Sequence, residues 1–274
     1  MNLKNYHYLT ESLEKLGFGE ALNNALKTKM ELGFDEIELK AKTKFAADEM
    51  AYSLKFSKGK TDVQGERFYF LNKIKATLTK QNEQPMEQEF ALYKQRGYNA
   101  KEMFNLMDKR PVYKIFRREG ENVGRWVKLD FSNKDENGNA LARPYYDNVT
   151  NFNLSREVGK LNLTFVDQKE KEQLLRDLQN GDRVSVTIRQ NGMNEKAYLA
   201  VAPQIGGLVL YNTEMKEIKR TNTNNIELVP DEKEPKVNTV IDKGNAAELP
   251  DATRKLVDKA NHPDQKEGPK RKVS

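Results

Sequence analysis

Hydrophobic positions recur along this chain with two periods, and the switches between them mark the elements. Leu9, Leu13 and Leu16 fall three to four residues apart. After Gly17-Phe18-Gly19 the same spacing returns with Ala21, Leu22, Ala25, Leu26 and Met30. Apolar residues at that interval line one face of a helix, so two helices separated by a break are expected. Gly33 suits the position just past the second helix, where a left-handed backbone costs glycine least. The period then becomes 2. Ile37, Leu39, Ala41, Thr43 and Phe45 point one way; Glu36, Glu38, Lys40, Lys42 and Lys44 point the other. Alternation resumes with Met50, Tyr52, Leu54 and Phe56. A turn is expected near Lys58-Gly59-Lys60, a third strand over 67–71 and a fourth over 73–79. This pattern predicts an antiparallel meander with one solvated face and the helices on the other.

Residues 82–88 form a polar break around Pro85. Asn99 and Glu102 have capping-box spacing ahead of Met103, Phe104, Leu106 and Met107, which predicts a short helix. Strands are expected over 112–117 and 125–131, joined by turn chemistry at Gly120-Glu121-Asn122, with a loop over 133–139. Asp167 and Glu170 repeat the capping spacing, Leu174, Leu175 and Leu178 form a buried stripe, and Gly181 closes that helix. A hairpin follows, with Asn191-Gly192 as its turn. Its core residues are Val184, Val186 and Ile188, while Arg183, Ser185, Thr187 and Arg189 lie on its other face. A last strand is expected over 208–211. Residues 20–71 and 167–211 both read as helix, glycine and alternating strands. An internal duplication and the repeated use of a simple helix-on-sheet unit both account for that. No Phe, Trp or Tyr occurs after Tyr211, and Pro, Asp, Glu and Lys dominate beyond Pro230. The expectation is an α+β protein with helices packed on antiparallel β-meanders and a disordered C-terminal tail. Its units are expected at 1–95, 96–228 and, for the tail, 229–274.

Composition narrows the chemistry. The 274 residues include no cysteine, which removes disulfides, thiolate metal sites and cysteine nucleophiles. The only histidines, His7 and His262, lie at opposite ends of the chain, so a Ser-His-Asp triad or a histidine zinc site is not expected. No cofactor is expected. Asp135-Glu136-Asn137-Gly138-Asn139 has oxygen ligands and a turn, as calcium loops do, but lacks the twelve-residue ligand pattern and its terminal Glu. Asp130, Asp135 and Glu136 are the least ordinary carboxylates, and hydrolysis by carboxylate chemistry is the remote enzymatic reading. Gly17 and Gly19 fit no phosphate-loop pattern. No apolar run of signal-peptide or membrane-spanning length occurs, and a cytoplasmic protein without a membrane partner is expected.

A net charge of +6 permits contact with nucleic acid without requiring it. Arg117, Arg118, Arg125 and Lys128 cluster in sequence around Trp126, a pattern that suits phosphate contact with base stacking. Arg183, Arg189 and Lys196 lie on the hairpin, and Lys270, Arg271 and Lys272 end the tail. The competing reading is that such lysines and arginines solvate sheet faces and protect strand edges.

The runs FYFLNKIKATL at 68–78, GYNAKEMFNLMDKRPVYK at 97–114 and VKLDFSNKDENGN at 127–139 resemble a large uncharacterised family from the Bacteroidota. LGFGE at 16–20 fits the start of that family. The hairpin with APQ at 202–204 and LYNTEMK at 210–216 resembles its C-terminal unit, a domain of unknown function often carried on mobile genetic elements. The resemblance spans about 9–220 and brings no functional residue with it. This chain departs from the family at Met103, where a small residue is usual, and at Lys109, where glycine is common. The resulting expectation is a non-catalytic binding or accessory protein that contacts nucleic acid in mobile-element biology. The alternative is a protein–protein adaptor that uses exposed sheet edges.

Overall fold

The computed structural model describes residues 1–61, 65, 67–93, 97–118, 120–163, 167–190, 193–218, 227–230 and 239–241. At 118, 148, 162, 189, 190, 193, 227–230 and 239–241 it describes the backbone alone. The protein is α+β. Helix α1 (Leu3–Lys15) is capped by Asn2, whose side chain accepts from the Asn5 amide at 2.9 Å. Leu9 and Leu13 are fully buried on its inner face. Helix α2 (Asn23–Glu31) follows the Gly17–Gly19 break, where Phe18 turns inward to meet Tyr52 edge-on at 5.2 Å. Strands β1 (Glu36–Phe45), β2 (Asp48–Thr61), β3 (Arg67–Thr79) and β4 (Met86–Ala91) form a sequential antiparallel meander. Ile37, Leu39, Met50, Tyr52, Leu54 and Phe56 bury against the helices as their alternation requires.

Three expectations for this sheet are corrected. No turn occurs at Lys58-Gly59-Lys60, because β2 continues to Thr61. The Phe70 ring lies over Gly59, where an added Cβ would sit 2.7 Å from Phe70 Cε2. The separate strands expected over 67–71 and 73–79 are the single strand β3 with a bulge at Asn72. Lys73 faces Lys55, but Leu71 faces Phe56. One extra residue shifts the side-chain phase, so Tyr69 and Leu71 face inward before the bulge and Ile74, Ala76 and Leu78 after it. The polar break expected over 82–88 ends early, since Met86 begins β4. Gln88 occupies a core-side position there. Its Oε1 accepts from the Ala140 amide at 2.9 Å, which satisfies a polar group that would otherwise be costly to bury.

Helix α3 (Ala100–Met107) has the full capping box expected from Asn99 and Glu102. It ends at Lys109, whose φ of 62° is left-handed. Glycine carries no Cβ penalty in that conformation. Lys109→Gly is therefore expected to raise stability by up to about 1 kcal/mol, read from the midpoint of urea unfolding. A lowered midpoint would contradict this.

Strands β5 (Val112–Arg118), β6 (Glu121–Lys134) and β7 (Ala140–Tyr146) form a three-stranded antiparallel sheet. After it come α4 (Asp147–Thr150), α5 (Leu154–Gly159), β8 (Asn162–Leu163) and α6 (Gln168–Gln179). The chain then forms β9 (Val184–Gln190), β10 (Met193–Ala202), a 3-10 turn (Pro203–Ile205), β11 (Gly207–Tyr211), β12 (Glu227–Pro230) and β13 (Thr239–Ile241). The second large sheet runs β11-β10-β9-β12-β8, with Val186 and Ile188 in its core as expected. Both helix-plus-meander stretches form: α2 precedes β1-β2-β3, and α6 precedes β9-β10-β11. Within the segment expected to be a disordered tail, β13 pairs with β1 at Ala41–Thr43. The rest of 231–274 lies outside the described residues.

The small sheet is a wall shared by two cores. On β6, Val127 and Leu129 join the core built on α1, α2 and the first sheet. Trp126 points the other way and joins Phe152, Leu178 and Leu199. The expected boundary at 95/96 does not divide the packing, because Met103, Leu106 and Met107 of α3 bury in the first core. Polar contacts join the two cores beside this wall. The side-chain amide of Asn105 donates to Asn180 O at 2.7 Å and to Asp182 Oδ1 at 2.8 Å. Asp108 pairs with Lys80, with Arg110 at 3.1 Å and with Arg183 at 3.3 Å.

Candidate functional site

The basic–aromatic cluster expected around Trp126 is not one surface. Trp126 is 1% exposed, packed between a tilted Tyr113 ring at 5.2 Å and an edge-on Phe152 ring at 5.7 Å. It is core, and a base has no access to its ring. Strand alternation places Arg125 on the opposite face of β6 from Trp126 and Lys128. There the Arg125 guanidinium lies 3.9 Å from the centre of the Phe116 ring and donates to Tyr146 Oη at 3.0 Å. Its Nε is buried without a hydrogen-bond partner among the described residues. Arg117 is exposed on β5, and Lys128 is half-buried beside Arg143, with Trp126 between the two. Arg118 lies opposite Glu121 in the backbone register.

Of the hairpin cations, Arg183 and Lys196 have described side chains. Arg183 is spent on Asp108 and lies 5.8 Å from the Tyr211 ring. Arg189 lies opposite Asn194 in the backbone register. Lys196 is exposed, with its Nζ 5.9 Å from the Tyr198 ring. Lys270, Arg271 and Lys272 lie outside the described residues.

The conspicuous carboxylates have structural roles. The Asp135 carboxylate accepts from the Asn137 amide at 2.9 Å and the Asn139 amide at 2.8 Å, closing the turn ahead of β7. The Asn139 and Asn137 hydrogen bonds hold Asp135 below the usual carboxylate range, and those from Ser132 and Asn133 do the same to Asp130. A general acid at neutral pH needs a shift the other way. Among the described residues, no group of His, Asp or Glu is arranged to hold a metal ion. A groove of about 490 Å³ lies beside the N-terminal half of β1, lined by residues that include Lys29, Glu38, Lys55 and Lys73. Lys29 donates to Glu38 O at 2.9 Å, Ser53 donates to Glu38 Oε1, and Lys73 pairs with Glu89 at 2.8 Å. Lys29, Glu38 and Lys73 are thus engaged within the protein, and Lys55 is exposed.

Strand edges carry the sharper signal. An unpaired edge offers a row of amides and carbonyls to any extended chain, so proteins usually block it. Here β1 is blocked twice, by β13 at Ala41–Thr43 and by the nearly buried Lys29 on Glu38 O. The edge of β4 is blocked by Asn139, whose Oδ1 accepts from the Glu89 amide at 2.8 Å. Pro144 lies within β7 and has no amide to offer. The edge of β11 meets the returning chain, with Ile218 N donating to Leu210 O at 2.8 Å and a bridge between Tyr211 and Glu217. Only two residues of β8 present an edge.

Strand β5 differs. It has β6 on one side, and among the described residues no strand lies beyond it; Glu121–Gly124 of β6 and Met193–Ala197 of β10 likewise have a strand on one side only. Its first residues are covered, with Pro111 and Val112 packed against Gly181. From Ile115 onward it emerges as one side of the β5–β6 arm. Ile115 is 66% exposed, and Arg117 is exposed two residues on.

The base of this arm is held firmly. The Tyr113 ring crosses β6 at Gly124, where a Cβ would sit 1.8 Å from the Tyr113 hydroxyl. That hydroxyl donates to Asp147 Oδ2 at 3.0 Å. Burial pushes the Tyr113 hydroxyl up to about 12, and the hydrogen bond to Asp147 adds to it. Burial also raises the Asp147 carboxyl above its ordinary 3.8, against the lowering effect of Tyr113. Asp147 Oδ1 has no hydrogen-bond partner among the described residues. A carboxyl whose folded pKa is raised favours the folded state most below its unfolded pKa, and that advantage is lost as pH rises through the folded pKa. Wild type is therefore expected to gain stability relative to Asp147→Asn as pH falls from neutral toward 3.8. Denaturant unfolding across that range measures the difference, and a gain with rising pH would contradict the assignment.

Sequence reasoning named Arg117 and Arg118 but assigned them to nucleic acid. It did not find the open edge, because edge status depends on which strands lie beside β5 in space. The run Lys114-Ile115-Phe116-Arg117-Arg118, apolar residues between basic ones, is the available hint. Comparison with protein-family models, with curated proteins and with solved structures finds no match. No helix among the described residues is long and apolar enough to cross a membrane.

Proposed function

We propose that this protein is a non-catalytic binding protein that captures an extended segment of a partner protein by strand addition to β5. The observation that carries this reading is the contrast among edges: β1, β4 and β11 are each blocked and β7 carries a proline, whereas Ile115–Arg118 has neither among the described residues and presents exposed Ile115 and Arg117. Main-chain hydrogen bonds along β5 would supply affinity, and side chains alternating along the added strand would supply specificity. The shared wall supports this use, because the arm grows from a sheet held between two cores and is presented ready-formed. Affiliation with the Bacteroidota mobile-element family belongs to the same proposal and rests on the runs at 68–78, 97–114 and 127–139.

Selection of displayed random peptides on the folded protein tests the reading. The expected binders are extended, compete with one another and slow amide exchange in β5. Binders that leave β5 exchange unchanged would overturn it. Labelled duplex or single-stranded nucleic acid is the control. Tight binding that falls steeply with salt would favour the nucleic-acid reading instead.

A further inference from the structure

We infer that the segment captured by β5 is acidic, with carboxylates alternating with apolar residues; this rests on the strand-addition reading above. The open stretch is Ile115-Phe116-Arg117-Arg118. On one face, exposed Ile115 sits opposite Gly124, over which the Tyr113 ring lies, so a partner side chain packing beside Ile115 meets apolar and aromatic surface there. Exposed Arg117 follows on that face, opposite the neutral Asn122. On the other face, Phe116 carries the Arg125 guanidinium, whose recorded partners are the Phe116 and Tyr146 rings and the Tyr146 hydroxyl. No carboxylate among the described residues is paired with Arg117 or Arg125. Lys114, by contrast, is neutralised by Glu102 at 2.6 Å. The edge thus presents apolar area with cationic charge on both faces.

A second copy of this chain fits that edge poorly. In an antiparallel self-pairing over these four residues, Arg117 of each copy faces Phe116 and Arg118 faces Ile115 of the other, which sets Arg117 of one copy diagonally from Arg118 of its partner. Like charges gathered that closely, with no carboxylate between them, repel. A basic partner meets the same repulsion. Acidic side chains spaced two residues apart would stay on one face of the added strand and reach the cation on that face, Arg117 or Arg125, while apolar residues between them cover the other face.

Four capped synthetic peptides test this against the full-length protein: valine alternating with glutamate, valine with glutamine, valine with lysine, and the glutamate peptide N-methylated at alternate backbone nitrogens. The glutamate peptide is expected to bind and to slow amide exchange over Ile115–Arg118. The glutamine and lysine peptides should bind at least about tenfold more weakly. N-methylation, which keeps the charge but removes donors, should also cost about tenfold or more. Arg117→Glu should reverse the preference toward the lysine peptide. If the glutamine peptide binds as well as the glutamate peptide while N-methylation abolishes binding, strand addition stands and the acidic class is overturned. If the N-methylated peptide binds equally well, strand addition itself fails. If none of the peptides binds, the acidic-segment inference is overturned.

Discussion

Replacing Gly181 with alanine is expected to cost about 2–5 kcal/mol of stability, among the largest effects of any single methyl group added to this protein. Two costs combine. Gly181 has a φ of 90°, where an L-residue is strained. The added Cβ would also lie 2.6 Å from Pro111 O, 3.1 Å from Val112 Cγ2 and 3.2 Å from Asn105 Cβ. The first of these is backbone at the root of β5, so relief requires moving the strand or the end of α6. Asn105 is fully buried and bonded to Asn180 and Asp182 on either side of Gly181, so the loop has little freedom to retreat. Chemical denaturation measures the loss. A cost below about 1 kcal/mol would show that the α3–α6 junction is looser than this packing implies.

Trp126→Ala is expected to cost about 3–5 kcal/mol, the range for a large aromatic removed from a core. Its ring lies between Tyr113 and Phe152 on the second core's side of the shared wall. A surface stacking residue would cost little. The same residue offers a spectroscopic check, because it is the only tryptophan in the chain. Its emission should be blue-shifted in the folded protein and shielded from iodide, with both properties lost in denaturant. Emission resembling free indole before unfolding would contradict the assignment of Trp126 to the core.

What was legible in the sequence, and what was not, follows the range of the interactions involved. The alternation of Ile37 to Phe45 and of Met50 to Phe56 reads directly, because one face is buried and the other solvated over the whole run. The α3 cap reads directly because Asn99 and Glu102 satisfy each other's backbone amides within a single turn. The bulge at Asn72 was visible only as a change of phase, and a change of phase is equally consistent with two strands. Strand β4 was hidden because its inward Gln88 is satisfied by Ala140, 52 residues away. The short elements β7, α4, α5 and β8 were not found, since each is too brief or too polar to show a period. Trp126 lies near the arginines in sequence but not in space, which is why the sequence alone suggests a surface cluster there. The alternation of Arg125, Trp126, Val127 and Lys128 already separates Arg125 from the ring, but a second core on the far face had no local signature. The open edge of β5 is likewise non-local.

Residue-resolved amide hydrogen exchange on the full-length protein alone tests the central claim, that β5 presents a free edge. The outward amides over Ile115–Arg118 are predicted to exchange rapidly and in alternation with the slow amides bonded to β6. The Glu89 amide, capped by Asn139 at the edge of β4, is predicted to exchange slowly. Protection of every β5 amide to the level of Glu89 would mean that the edge is already occupied, and would contradict the account.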